Sequence, residues 1–134
     1  MPFQKMFRHA EKQAVGFTQS EREAVVDILH YCMYADRHIA RAEDQMIETV
    51  ARTLNWDPSI SYEYYEGKST GAVRRALAEK ELRADFMKSL RARLSKPEHR
   101  KFALSIADDL MKVDGVKPQE EFIALLELKK ALET

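Results

Sequence analysis

The chain has 134 residues, enough to bury roughly two thirds of its unfolded surface without help from a disulfide or a metal. Its 22 basic and 22 acidic residues cancel, which argues against a dedicated nucleic-acid binder, since such proteins carry a basic excess. The single cysteine, Cys32, excludes an internal disulfide and fits a reducing, cytoplasmic compartment, and no run approaches the ~20 apolar residues that insertion into a membrane requires.

The N-terminus lacks the apolar core and small-residue cleavage site of a signal peptide. It reads instead as a short amphipathic helix with Phe3, Phe7 and Ala10 on one side, broken at Gly16. Thr18 followed by Glu21 is a capping box for the next helix, which carries Val25, Ile28, Leu29, Cys32 and Met33 at helical spacing and stops near Asp36. A third helix holds Met46, Ile47, Val50, Ala51 and Leu54. Asn55-Trp56-Asp57-Pro58 ends it, because the residue before a proline avoids the helical region.

Between Ser59 and Gly71 the periodicity is weakest, with Tyr62, Tyr64 and Tyr65 on a short helix. A basic helical region follows with the stripe Val73, Ala76, Leu77, Leu82, Phe86, Leu90 and Leu94, divided near Glu81. Ser95 with Glu98 forms a second capping box around Pro97. The helix beyond it holds Phe102, Ala103, Ile106, Ala107, Leu110 and Val113, and ends at Asp114-Gly115. A last helix from about Pro118 carries Phe122, Leu125, Leu126 and Leu132. The expected fold is all-α, a single domain over residues 1–134.

Charge is unevenly distributed. Residues 68–101 hold eleven Lys/Arg against four Asp/Glu, whereas residues 36–66 hold three against seven, and residues 102–134 four against seven. The basic stretch suits either a solvated helix face or a docking face for an acidic partner. Aromatics do not interleave with it, so stacking on single-stranded nucleic acid is not supported. Trp56 with the three tyrosines makes either a docking patch or a closure for one end of the core.

Two segments repeat one pattern. Val25–Ala51 and Ala103–Lys129 each read as apolar helix, Asp, short turn, Glu, apolar helix. In each, an Asp at a helix end is followed seven residues later by a Glu in the first turn of the next helix, Asp36 to Glu43 and Asp114 to Glu121, with Glu120 beside the second pair and Asp44, Asp108 and Asp109 as neighbours. Clustered carboxylates and free carbonyls are what calcium or magnesium requires. Acidic residues in a first turn also stabilise a helix dipole with no metal present. The first elbow has Arg37-His38 where the second has Gly115-Val116, and His38 as a ligand would favour zinc. Neither loop has EF-hand spacing. His9, His30 and His99 share no metal-ligand spacing and read as surface or cap residues, Cys32 reads as a buried core thiol, and phosphate loops and hydrolase elbows are absent.

The motifs Ala35-Asp36-x-x-Ile39-x-x-x-Glu43 and Val113-Asp114-Gly115-x-x-x-x-Glu120-Glu121, each followed by an apolar helix, resemble the TerB-like domain of bacterial tellurite-resistance proteins. The resemblance spans roughly residues 15–134. It implies a compact bundle of about seven helices with two helix–acidic turn–helix units and no catalytic activity. It further implies a divalent metal (calcium, magnesium or zinc) held by Asp36, Glu43, Asp114, Glu120 and Glu121, and a protein partner in a stress-response or membrane-associated complex. Related domains occur in membrane-anchored J-domain co-chaperones, but this chain has no His-Pro-Asp tripeptide. The alternative is a purely structural interaction module that docks through its basic helical face.

Overall fold

Thr18 starts the first described helix as the sequence predicts. Its hydroxyl accepts from the Glu21 backbone N–H at 3.1 Å, while the Glu21 carboxylate accepts from the Thr18 N–H at 3.0 Å. Two of the four N–H groups that a helix start leaves unpaired are thereby satisfied. The computed structural model describes residues 16–35, 41–113 and 119–133, and the expected N-terminal helix lies outside them. Among the described residues there are six helices and no strand: α1 (Gln19–Tyr34), α2 (Arg41–Thr53), α3 (Tyr62–Ala78), α4 (Lys80–Arg93), α5 (Pro97–Val113) and α6 (Gln119–Leu132).

The bundle is built around α1, which packs against all five other helices. Every residue from Ala24 to Tyr34 is buried, so this helix is enclosed on all sides rather than on the one stripe that its spacing suggests. A helix apolar around its circumference belongs inside, and Val25, Val26, Ile28, Leu29, Tyr31, Cys32 and Met33 supply that surface. Full burial of each aliphatic side chain contributes about 1.5–3 kcal/mol. Cys32 is a core thiol, as expected.

The end of α2 has a different cause from the expected one. Asn55 adopts a left-handed conformation with φ of 66°. Its N–H donates to the Arg52 carbonyl at 3.0 Å and the Trp56 N–H donates to the Ala51 carbonyl at 3.2 Å. This is a Schellman closure with asparagine in the place glycine usually takes; Pro58 lies beyond it.

The region of weak periodicity is also resolved differently. Ser61 caps a continuous α3 by accepting from the Tyr64 N–H at 3.2 Å, and the helix runs through Gly67 and Gly71 to Ala78. A single extended residue, Glu79, separates it from α4, two residues before the expected break at Glu81. Pro97 occupies the first position of α5, where its missing N–H costs nothing.

Trp56, Tyr62 and Tyr65 close one end of the core, with the tryptophan ring centroid 5.3 and 5.5 Å from those of the two tyrosines, and only Tyr64 among the tyrosines of this segment faces solvent. On α6 the expected stripe is partly wrong. Leu125 and Leu132 are buried with Ala124 and Leu128, whereas Phe122, Ile123 and Leu126 are exposed.

No helix among the described residues is long and apolar enough to cross a membrane.

Candidate functional site

The helices that lead into the two acidic elbows are parallel neighbours. Near their starts the Glu21 carboxylate of α1 accepts from the imidazole of His99 on α5, and Phe17 stacks on that imidazole with centroids 4.0 Å apart. Toward the other end, the Tyr31 hydroxyl of α1 donates to Glu127 of α6 at 3.2 Å. Helix α6 returns antiparallel to α5, since Arg100 near the start of α5 donates to the carbonyl of Leu132 at the end of α6 at 3.4 Å. Helices α1 and α5 therefore finish, and α2 and α6 begin, at one end of the bundle.

Of the five carboxylates expected at the elbows, Asp36 and Asp114 lie outside the described residues. Glu43 and Glu121 fall on described helices, but their side chains lie outside the described set. Glu120 is exposed in the first turn of α6. Among the described residues, no group of three or more His, Cys, Asp or Glu side chains is arranged to hold a metal ion.

One described neighbour of the first elbow has an unusual environment. Asp44 Oδ1 is buried with no hydrogen-bond partner among the described residues. Burial raises its pKa, against an opposing pull from Arg74. The Arg74 guanidinium itself sits over the Tyr34 ring, 5.5 Å from its centroid. Glu66 is likewise raised, first by burial and then by the charges of Asp44, Glu48 and Glu63. The α2–α3 face therefore gathers four carboxylates, of which Glu48 and Glu63 pair with Arg52 at 2.9 and 3.7 Å and Asp44 lies near Arg74.

A second polar arrangement, not foreseen from the sequence, lies between α1, α3 and α4. Asp27 is buried in the middle of α1 and accepts three donors: Tyr65 Oη at 2.9 Å, Ser69 Oγ at 2.6 Å and Arg93 Nη2 at 2.7 Å. Ser69 also bonds His30 Nδ1 at 2.9 Å. The Ser69 hydroxyl has one proton, and the carboxylate only accepts, so that proton goes to Asp27 and His30 Nδ1 carries the hydrogen between imidazole and hydroxyl. Burial depresses the His30 pKa from 6.5 to about 4, so the ring is neutral at pH 7. The order Asp–Ser–His also differs from that of a nucleophilic triad, in which the imidazole lies between serine and carboxylate. Here Ser69 faces an N–H donor rather than a base, and the array is suited to holding three helices in register.

Two expectations about histidines are therefore corrected. His30 and His99 are neither surface nor cap residues; both are buried, at 0% and 7% exposure. Each is accommodated by a polar neighbour on another helix, a distant pairing that no local spacing announces. Burial of Glu21 would raise its carboxyl, but the hydrogen bonds from His99 and Thr18 outweigh that and leave it below its usual value.

The basic stretch also resolves into particular roles. Arg83 donates to the carbonyls of Ala76 and Leu77 at the end of α3, Arg91 to Ala131 at the end of α6, and Arg100 to Leu94 beyond α4 and to Leu132. Arg22, outside the stretch, does the same for Leu54 at the end of α2 at 2.6 Å. Cations placed on the free carbonyls of helix C-termini satisfy backbone acceptors and the helix dipole together. Four of the eleven basic residues of the stretch, Arg83, Arg91, Arg93 and Arg100, are thus used within the fold, and the other seven are exposed.

No family model, no curated protein and no solved structure matches the chain.

Proposed function

We propose that this chain is a non-enzymatic, TerB-like binding domain whose two acidic elbows act together at one end of the bundle to hold a divalent cation and present a surface to a protein partner. The observation that supports this most is the parallel run of α1 and α5, which directs both elbow sequences from the same end. Asp36 and Glu43 from one elbow, with Asp114, Glu120 and Glu121 from the other, offer the hard oxygen donors that calcium or magnesium takes. The buried Oδ1 of Asp44, without a hydrogen-bond partner among the described residues, adds a further acceptor beside the first elbow. The resemblance to tellurite-resistance domains supports the same reading and is the ground for proposing a partner in a stress-response or membrane-associated complex.

Melting of chelator-treated protein tests this reading. A ligand that binds only the folded state stabilises it by about 2.7 kcal/mol at one hundred times its dissociation constant. For a domain of this size that is a rise of several degrees. Calcium, magnesium, manganese or zinc at millimolar concentration is expected to produce such a rise, and Asp114→Asn to remove it. Identical melting with and without every ion would refute the cation reading.

A further inference from the structure

The cleft above the Asp27 network has a volume of about 470 Å³, within the range of small-molecule sites. We propose that it binds a small zwitterion, a free amino acid or a molecule with the same pair of opposite charges. This is independent of the elbows and of any metal there.

The floor of the cleft is fixed and electrically neutral. Asp27 has a donor on each oxygen, and its charge is matched by Arg93 at 2.7 Å. A ligand therefore does not need to neutralise the floor, and the polar groups there are already held in place. The side walls contribute Ala72, Leu82 and the buried Phe86, an apolar surface for a short side chain.

The rim decides the charge of the ligand. Lys68 and Arg75 reach it from α3, Asp85 from α4 and Glu23 from α1. The side chains of Lys68, Arg75 and Asp85 have no hydrogen-bond or ion-pair partner among the described residues, and the Glu23 carboxylate accepts only a 3.3 Å bond from Gln19. Helices α3 and α4 are antiparallel about Glu79, which sets Arg75 and Asp85 toward the hairpin end. The Tyr65 hydroxyl donates to the Glu23 carbonyl at 3.4 Å, which sets Glu23 and Lys68 toward the other end. Each end thus offers one charge of each sign. A simple anion would be drawn to Lys68 and Arg75 and repelled by Glu23 and Asp85, and a simple cation would meet the reverse. A molecule that carries both charges can set its anionic group on Lys68 or Arg75 and its cationic group on Glu23 or Asp85, so that each of its charges meets an opposite one.

Titration of the isotope-labelled protein with each of the common amino acids, followed through backbone amide resonances, tests this directly. At least one is expected to shift the amides of Ser69, Ala72 and Ser89 with a dissociation constant in the millimolar range or below, while acetate and methylamine bind at least about ten-fold more weakly. Ser89→Trp fills the cleft from an exposed position and is expected to abolish the shifts. Lys68→Ala, also exposed, is expected to weaken binding by about ten-fold. The proposal is overturned if no amino acid moves these amides, if acetate or methylamine binds as well as the zwitterion, or if the shifts persist in a folded Ser89→Trp protein. None of these outcomes bears on the elbows, whose test is ion-dependent melting.

Discussion

Replacing Asp27 with alanine is expected to destabilise the fold by about 3–5 kcal/mol, the cost typical of removing one partner of a buried charge pair. Three donors lose their acceptor at once: Tyr65, Ser69 and Arg93. Tyr65 and Ser69 are both buried, so water in the cleft restores only part of the lost bonding, and Tyr65 as a donor keeps only its long 3.4 Å bond to the Glu23 carbonyl. The Arg93 side chain is 21% exposed and regains part of its hydration from the cleft, which favours the lower end of the range. Replacing the pair together, with Asp27→Leu and Arg93→Met, removes the uncompensated charge and is expected to cost much less than Asp27→Ala. Urea unfolding of the parent and the two variants measures both quantities. Equal losses for the single and double variants would mean that the arrangement contributes through packing and not through charge.

Acid is expected to weaken the fold as pH falls through the ordinary histidine range, because of His30. Its folded pKa of about 4 lies below the ordinary value of 6.5. Between these values the unfolded chain takes up a proton that the folded chain refuses, so stability falls as pH falls. The stabilisation is fully present above pH 6.5 and is lost progressively down to about pH 4. Each tenfold loss of proton affinity on folding corresponds to about 1.36 kcal/mol, so the whole step is on the order of 3 kcal/mol. The physical cause is burial. The carboxylate one hydroxyl away, Asp27, is already matched by Arg93 and leaves little attraction for an imidazolium. His30→Gln keeps a polar side chain and removes the titration. Its stability is expected to be nearly flat between pH 7 and pH 5, where the parent declines. Parallel slopes for the two proteins over that interval would assign the acid sensitivity to other groups.

The helices are legible in the sequence wherever their signals are local. The Thr18–Glu21 capping box, the proline at the start of α5 and the core positions of α2 and α5 are written in neighbouring residues. The end of α2 falls where the sequence places it but for another reason, because a left-handed asparagine closes a helix as well as a glycine does. The sequence does not show α3 as one helix because Gly67 and Gly71 weaken its propensity, while the burial of Tyr62, Tyr65, Ser69, Val73 and Ala76 holds it together.

The pairings of the polar interior are not legible. Asp27 pairs with Arg93 across 66 positions, and Glu21 pairs with His99 across 78. Each of these residues, read in isolation, is an ordinary surface type. One signal is present: Asp27 and His30 interrupt a helix that is otherwise apolar on every side, and a polar residue there must have a partner. The basic stretch is only partly legible: Lys68, Arg74, Arg75, Lys80, Lys88, Lys96 and Lys101 are exposed, as a solvated face requires. Four of its arginines depart from that face, since Arg83, Arg91, Arg93 and Arg100 reach across to carbonyls and a carboxylate of other segments.

Substoichiometric manganese, followed by its broadening of backbone amide resonances, tests most directly whether the two elbows form one cation site. Bound at the shared end, the ion is expected to broaden Ala35 and Asp44 beside the first elbow together with Lys112 and Glu120 beside the second. Gln19 and His99, at the far end of helices roughly 24 Å long, are expected to stay sharp. Broadening of both elbows at the same manganese concentration, abolished in both by Asp114→Asn, is the predicted result. Broadening confined to one elbow, or scattered over exposed carboxylates throughout the chain, would contradict it.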